Sequence, residues 1–130
     1  MNRGLDWLGQ ARRDLAHAEH AARGGHFEWA AFAAHQAAEK AVKGLLLGLG
    51  GEGWGQSVLR LLEGLQERLD VPPALLDAAR RLDRHHILAR YPNGCPAGLP
   101  SEYCTERDAV EAIADARAIV EFCERAFPRP

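Results

Sequence analysis

Two stretches of this 130-residue chain carry the residue types best suited to chemistry. The first is a basic run, Arg80-Arg81-Leu82-Asp83-Arg84-His85-His86, followed closely by Arg90 and Tyr91. A guanidinium is charged at any physiological pH and presents a planar fork of donors that matches phosphate or carboxylate oxygens. Arg80, Arg81, Arg84, His85 and Arg90 would therefore make a local anion site, and Tyr91 could supply a flat face on which a base stacks. The second stretch is His35-Gln36-Ala37-Ala38-Glu39-Lys40-Ala41-Val42-Lys43. At helical spacing Phe32, Gln36, Glu39 and Lys43 share one stripe, His35 flanks it, and Lys40 lies one turn from Gln36. If the two stretches are neighbours, Lys40 and Lys43 join the anion site. Read for structure alone, the stripe is the solvated polar face of an amphipathic helix. Glu39 and Lys43 then stand in the favourable order for an i,i+4 ion pair, worth about 0.3 to 0.5 kcal/mol when exposed.

Other reactive residue types form no constellation. His17 and His20, with His26 nearby, have i,i+3 ligand spacing but no cysteine or carboxylate set to complete a metal site. Cys95, Cys104 and Cys123 are odd in number and include no C-x-x-C, so neither a disulfide framework nor a zinc ribbon is indicated. Cys95 and Cys104 flank a loop that could bring them near His85, without matching a structural zinc motif. No metal and no cofactor are expected. Gly48, Gly50 and Gly53 spell G-x-G-x-x-G, but a helical pattern precedes them where a phosphate-binding fingerprint needs a strand. They are read as a flexible connector.

The elements that must position these groups are all helical. Apolar positions recur at Leu5, Leu8, Ala11, Leu15, Ala18 and Ala22, and Gly24-Gly25 supplies a left-handed C-terminal cap. A second helix runs from about Phe27 to Leu47, its core line drawn through Ala30 or Ala31, Ala34, Ala38, Ala41 and Leu45. The short joint makes the two antiparallel. Val58, Leu62, Leu65 and Leu69 mark a third helix, which Val71-Pro72-Pro73 stops. Leu75, Ala79, Leu82 and His86 mark the inward face of a fourth, which runs to Tyr91-Pro92. Thr105-Glu106-Arg107-Asp108 opens the last helix as a capping box, with Ala109, Ile113, Ala116, Val120, Cys123 and Phe127 inward. With no alternating β-branched run, the fold class is all-α: a largely up-and-down bundle of four long helices plus a shorter helix or broken segment, one domain over residues 1–130.

Composition agrees with a globular domain: 47% of residues are hydrophobic, 26% are charged, and the net charge is -2. Any nucleic-acid contact must therefore be a local basic patch and not a whole-protein field. The longest apolar run, Leu45 to Leu49, is too short to span a bilayer, and no apolar signal core follows Met1. A cytoplasmic protein without a membrane segment is expected.

Phe32-x-x-x-Gln36-Ala37-Ala38-Glu39-Lys40-Ala41-x-Lys43, preceded by Leu15 and Ala18 and followed by Arg90-Tyr91-Pro92, resembles the HEPN domain family (higher eukaryotes and prokaryotes nucleotide-binding), in particular a stand-alone prokaryotic branch. The helix order fits over almost the whole chain. The resemblance implies a nucleotide- or RNA-associating module, a homodimer, and a separately encoded nucleotidyltransferase partner as in toxin–antitoxin pairs. Nucleotide contacts would fall to Lys40, Lys43, Arg84, Arg90 and Tyr91. Ribonuclease members of the wider family carry an arginine, then four to six residues, then a histidine, and need no metal. Arg80 with His85, Arg80 with His86, and Arg81 with His86 are literal matches to that spacing. Anchoring on Tyr91 instead puts Arg84 and Arg90 at those positions, and an arginine cannot serve as a general base. The branch also has a His-x-Leu at the start of helix three, where this chain has Gln56-Ser57-Val58. A third reading of the same fold is a purely protein-binding helical dimer module, with Trp7, Trp29 or Trp54 as its contact surface.

Overall fold

Helix α1 (Gly4–Arg23) ends where the amides of Gly25 and His26 bond back to the carbonyls of Ala22 and Ala21. Gly25 takes φ 81° there, the left-handed turn that glycine adopts at little cost. The chain reverses at once into α2 (Phe27–Gly48), antiparallel to α1. Next come α3 (Val58–Leu65), α4 (Pro73–Asp83), the single turn α5 (His85–Leu88), two short 3-10 turns (Pro92–Gly94 and Pro100–Glu102), and α6 (Glu106–Ala126). This computed structural model describes residues 2–129, so both terminal positions of the domain expected over 1–130 lie outside the described residues. No strand occurs among the described residues, and the all-α bundle is the fold.

Three helices are long, and α3 and α4 are shorter than the periodicity predicts. α3 stops at Leu65, although Leu69 still packs against the core from the turn that follows. α4 does not run on to Tyr91. It ends at Asp83, and Arg84 keeps helical dihedrals (φ -64°, ψ -24°) as a one-residue lapse before α5 begins.

α2 is the axis of the bundle and packs against α1, α3, α4, α5 and α6. Its alanines make this possible, because small side chains allow neighbouring helices to approach on several sides. Ala30, Ala31, Ala34, Ala37, Ala38 and Ala41 have no exposed surface. The closest approach is with α1. A Cβ on Gly44 would lie 2.8 Å from the Gly4 carbonyl oxygen, and one on Gly4 would lie 2.7 Å from the Gly44 oxygen. The Phe127 ring closes over this crossing against Gly4 and Gly48. Two sequence expectations are corrected by the packing. Leu5 is 67% exposed and Gly4 takes the inward position, since only a residue without a side chain fits under α2. The polar stripe on α2 is not a solvated face. His35 is fully buried and Glu39 nearly so, because a helix surrounded by five others has little outer face left.

α6 matches its reading except at its end, where the helix stops at Ala126, and the extended residue that follows, Phe127, is partly buried and packs on the core. The Thr105 hydroxyl accepts from the Asp108 amide at 3.2 Å, and the Asp108 carboxylate accepts from the Thr105 amide at 2.9 Å. Cys123 is fully buried, and burial pushes its thiol up to about 12, which makes it an inert core residue. The glycine run after α2 closes that helix: Gly51 bonds back to the Leu46 carbonyl and Gly50 to that of Leu47. No helix among the described residues is long and apolar enough to cross a membrane.

Candidate functional site

The break between α4 and α5 is held in place by one carboxylate. Asp83 accepts four hydrogen bonds, from His35 Nε2 (3.1 Å), Ser57 Oγ (2.8 Å), the Val58 amide (2.8 Å) and the Leu59 amide (3.1 Å). The last two amides belong to the first turn of α3, where unpaired N–H groups favour a negative charge. Burial pushes the Asp83 carboxyl up, but the bonds from His35, Leu59, Val58 and Ser57 outweigh it and hold the group below its ordinary value. Gln56-Ser57-Val58 thus makes a link across the bundle through the Ser57 hydroxyl. Ser57 also caps α3 by accepting from the Arg60 amide at 3.2 Å.

Past the break, successive residues face opposite sides of α5. His86 turns toward α2, its ring 4.9 Å from that of His35 and 6.3 Å from that of Phe32. Burial, then the neighbouring His35 and Arg90, lower its pKa from 6.5. His86 Nδ1 is buried with no hydrogen-bond partner, as is Glu39 Oε1 on α2. Arg90 folds back over this group. It donates from Nε to the His86 carbonyl at 3.1 Å, and its guanidinium lies 4.6 Å from the Phe32 ring centre and 4.9 Å from that of Tyr91. Trp29 meets Phe32 edge-on at 6.1 Å, and a shallow depression lined by His17, Trp29, Phe32, Gln36 and Lys40 continues the surface along α2. The result is a ladder of rings and one guanidinium, open at Trp29 and Tyr91, each about half exposed.

His85 turns the other way, toward α6. With Arg84, Cys95, Cys104, Asp108 and Glu111 it lines a cavity of about 310 Å³ between α5, the two 3-10 turns and the start of α6. Burial lowers the His85 pKa, with Asp108 acting against it and Arg84 with it. Burial also raises the Cys104 thiol to about 11, which leaves it a poor nucleophile. The loop therefore does bring Cys95 and Cys104 to His85, yet no group of three or more His, Cys, Asp or Glu among the described residues is arranged to hold a metal.

The candidate residues are thus sorted into separate places. Arg81 makes a two-pronged contact with Asp115 on α6, both bonds 2.9 Å, and Arg80 pairs with Asp77 at 2.7 Å in the open. Among the described residues no hydrogen bond joins either arginine to His85 or His86, and the two histidines face opposite sides of α5. Lys40 is tied to Asp14 at 2.6 Å and Lys43 to Glu39 at 3.0 Å, so both lysines arrive already neutralised. Lys40 borders the ring ladder, while Lys43 lies toward Trp7 of α1, 5.9 Å from its ring centre. Arg84 sits at the cavity, and Arg90 with Tyr91 at the ladder. Sequence alone set His35 beside the polar stripe without a binding role, offered Trp29 only as a protein-contact surface, and gave no sign of the hub role of Asp83. For His35 a signal existed: Ala31 and Ala38, four residues before it and three after, lie on its face of α2 and are fully buried.

A three-long-helix bundle whose central helix buries a histidine and a glutamate, and whose fourth helix breaks beside an arginine and aromatic surface, defines a distinct class of helical domain. The chain belongs to the HEPN family: the family model described as HEPN domain matches residues 5–126. It is similar to the crystal structure of TT1696 from Thermus thermophilus, with 47% identity, a TM-score of 0.94, and 97% of this chain and 99% of that chain covered. ST0689, an archaeal HEPN homologue, is 41% identical with a TM-score of 0.84 over 98% of this chain and 100% of that one. The HEPN domain protein TM0613 of Thermotoga maritima is 35% identical, with a TM-score of 0.77, covering 92% and 95%. No curated protein matches the chain significantly.

Proposed function

We propose that the chain is a nucleotide- or RNA-associating module, residues 1–130 acting as one HEPN-like helical unit that binds at the ladder of Phe32, Arg90 and Tyr91. The observation that carries this reading is the setting of Arg90. Its guanidinium is fixed between two aromatic faces, its hydrogen bonds go to His86, and no carboxylate among the described residues pairs with it. Such a group is a pre-oriented phosphate donor beside exposed stacking surface, and both halves of a nucleotide find a match there. Arg84, at the cavity, likewise has no carboxylate partner among the described residues and extends the positive field. Lys40 and Lys43 add little to it because Asp14 and Glu39 already hold them. On a protein of net charge -2 the affinity is modest and falls with salt.

Association is favoured over metal-independent cleavage, since Arg80 and Arg81 are committed to Asp77 and Asp115 and the two histidines diverge. Family membership adds, by analogy alone, a cytoplasmic homodimer working with a separate nucleotidyltransferase as in toxin–antitoxin pairs. Titration with single-stranded RNA and with ATP in low salt tests the binding. Binding that weakens about tenfold or more in an Arg84→Ala, Arg90→Ala variant is expected, each phosphate contact being charge-assisted. No binding of either ligand sinks the reading. RNA cleavage that persists in EDTA and disappears in a His85→Ala, His86→Ala variant would replace it with the ribonuclease.

A further inference from the structure

The cavity on the far side of α5 shares a wall with the ladder: His85 and Ala89 line the cavity, while His86 and Arg90 stand at the ladder. Its other walls are apolar, supplied by Leu88, Pro96 and Pro100, with the half-exposed ring of Tyr103 beside them. At about 310 Å³ it has the size of a small-ligand pocket. Its charges decide which part of a nucleotide could enter. Asp108 and Glu111 both line it, and Glu111 has no ion-pair partner among the described residues. Two carboxylates repel a phosphate, so Arg84 can meet one only at the mouth. They accept N–H groups, however, and flat apolar walls with a tyrosine face suit a ring.

The geometry points to a pocket for one nucleobase, which receives the base next along a single strand whose neighbour rests on the Phe32, Arg90 and Tyr91 ladder. The pocket selects bases bearing an exocyclic amine, namely adenine, guanine or cytosine, over uracil. Uracil offers one N–H between two carbonyl oxygens, and those oxygens face the Glu111 carboxylate unfavourably. An amino-bearing base presents donors to it instead. Single-strand recognition by splayed, stacked bases read on their edges is the general mode for RNA, and here α5 would separate two adjacent bases. This inference rests on the ladder as the primary binding surface and adds the second subsite and its selectivity.

The experiment compares UMP, UpU, UpA and ApU in low salt by calorimetry. UMP and UpU should bind alike, and at least one of UpA and ApU about tenfold more tightly, as one added base stack provides. Tyr103→Ala should bring that dinucleotide down to the UMP level, and Glu111→Gln should erase the preference for adenine over uracil. Both residues are exposed, and a circular dichroism melt verifies that each variant folds. UMP binding with no gain for either adenine dinucleotide overturns the pocket and leaves the ladder standing, as does a preference that survives Glu111→Gln. No binding of any of the four compounds removes ladder and pocket together.

Discussion

His35 Nε2 lies 3.1 Å from Asp83 Oδ1, joining the middle of α2 to the last residue of α4 across 48 positions of sequence. The same carboxylate caps α3, so three helices meet on one side chain. Replacing Asp83 with alanine strands the His35 ring N–H and two amides in a largely buried place. A loss of about 2 to 4 kcal/mol is expected, read by urea denaturation. Asp83→Asn, which returns one acceptor oxygen, should recover part of it. A loss below about 1 kcal/mol would mean that water replaces the hub without difficulty.

The crossing of α1 and α2 gives a second, purely steric prediction. Gly44→Ala sets a methyl group 2.8 Å from the Gly4 oxygen and 3.0 Å from Trp7 Cβ, and backbone cannot yield as a long side chain can. It should cost about 1 to 3 kcal/mol. Gly9, in the middle of α1, has nothing within 4 Å of the place an alanine methyl would take, so Gly9→Ala should instead stabilise by about 0.5 to 1 kcal/mol. Thermal melts of the two variants should move in opposite directions.

Acidification should weaken the fold in two stages. Burial holds both His85 and His86 below 6.5 in the folded chain. As pH falls below about 6.5 the unfolded chain takes up these protons first, so stability declines from there down through the folded-state values. Asp83 acts lower. Its folded value lies under 3.8, so its contribution is present above that pH and is lost only as the pH falls further. The melting temperature should therefore drop between about pH 7 and about pH 5.5, and His86→Phe should reduce that drop. An unchanged pH profile in His86→Phe would show that its burial does not govern this range.

Arg80 and Arg81 are neighbours in sequence with different expected costs. Asp115, which Arg81 grips with two bonds, is only 8% exposed, and losing the guanidinium leaves a buried carboxylate. Allowing for the partly solvated arginine end, Arg81→Ala should cost about 1 to 2 kcal/mol. Arg80→Ala breaks an open i,i+3 pair with Asp77 and should change stability by less than about 0.5 kcal/mol. Both variants should bind RNA and ATP as the parent does. A loss of binding in Arg80→Ala, with stability intact, would place Arg80 at the site.

Much of the architecture was legible from residue order. The four-three steps of α6, its Thr105 and Asp108 cap, the Gly25 turn and the alanine line of α2 all appear where periodicity puts them, since each depends on contacts within one or two turns. The string from Gln36 to Lys43 marks the HEPN family for a related reason: α2 touches every other helix, and its small residues are set by that packing. The site was less legible. Six basic residues from Arg80 to Arg90 look alike as a list, yet Asp77 and Asp115 absorb two of them, the cavity takes Arg84 and His85, and the rings take His86 and Arg90.

What sequence alone determined, then, was the helical class, the Gly25 turn, the cap of α6 and the family, because those follow from local periodicity and capping. Tertiary structure alone decided that His35 and Glu39 are buried rather than solvated, that α4 breaks where Asp83 turns to α3, and that His85 and His86 serve opposite sides of α5. Each of those outcomes depends on which helix lies against which. That is a relationship between residues tens of positions apart, and hydrophobic spacing within one helix does not encode it.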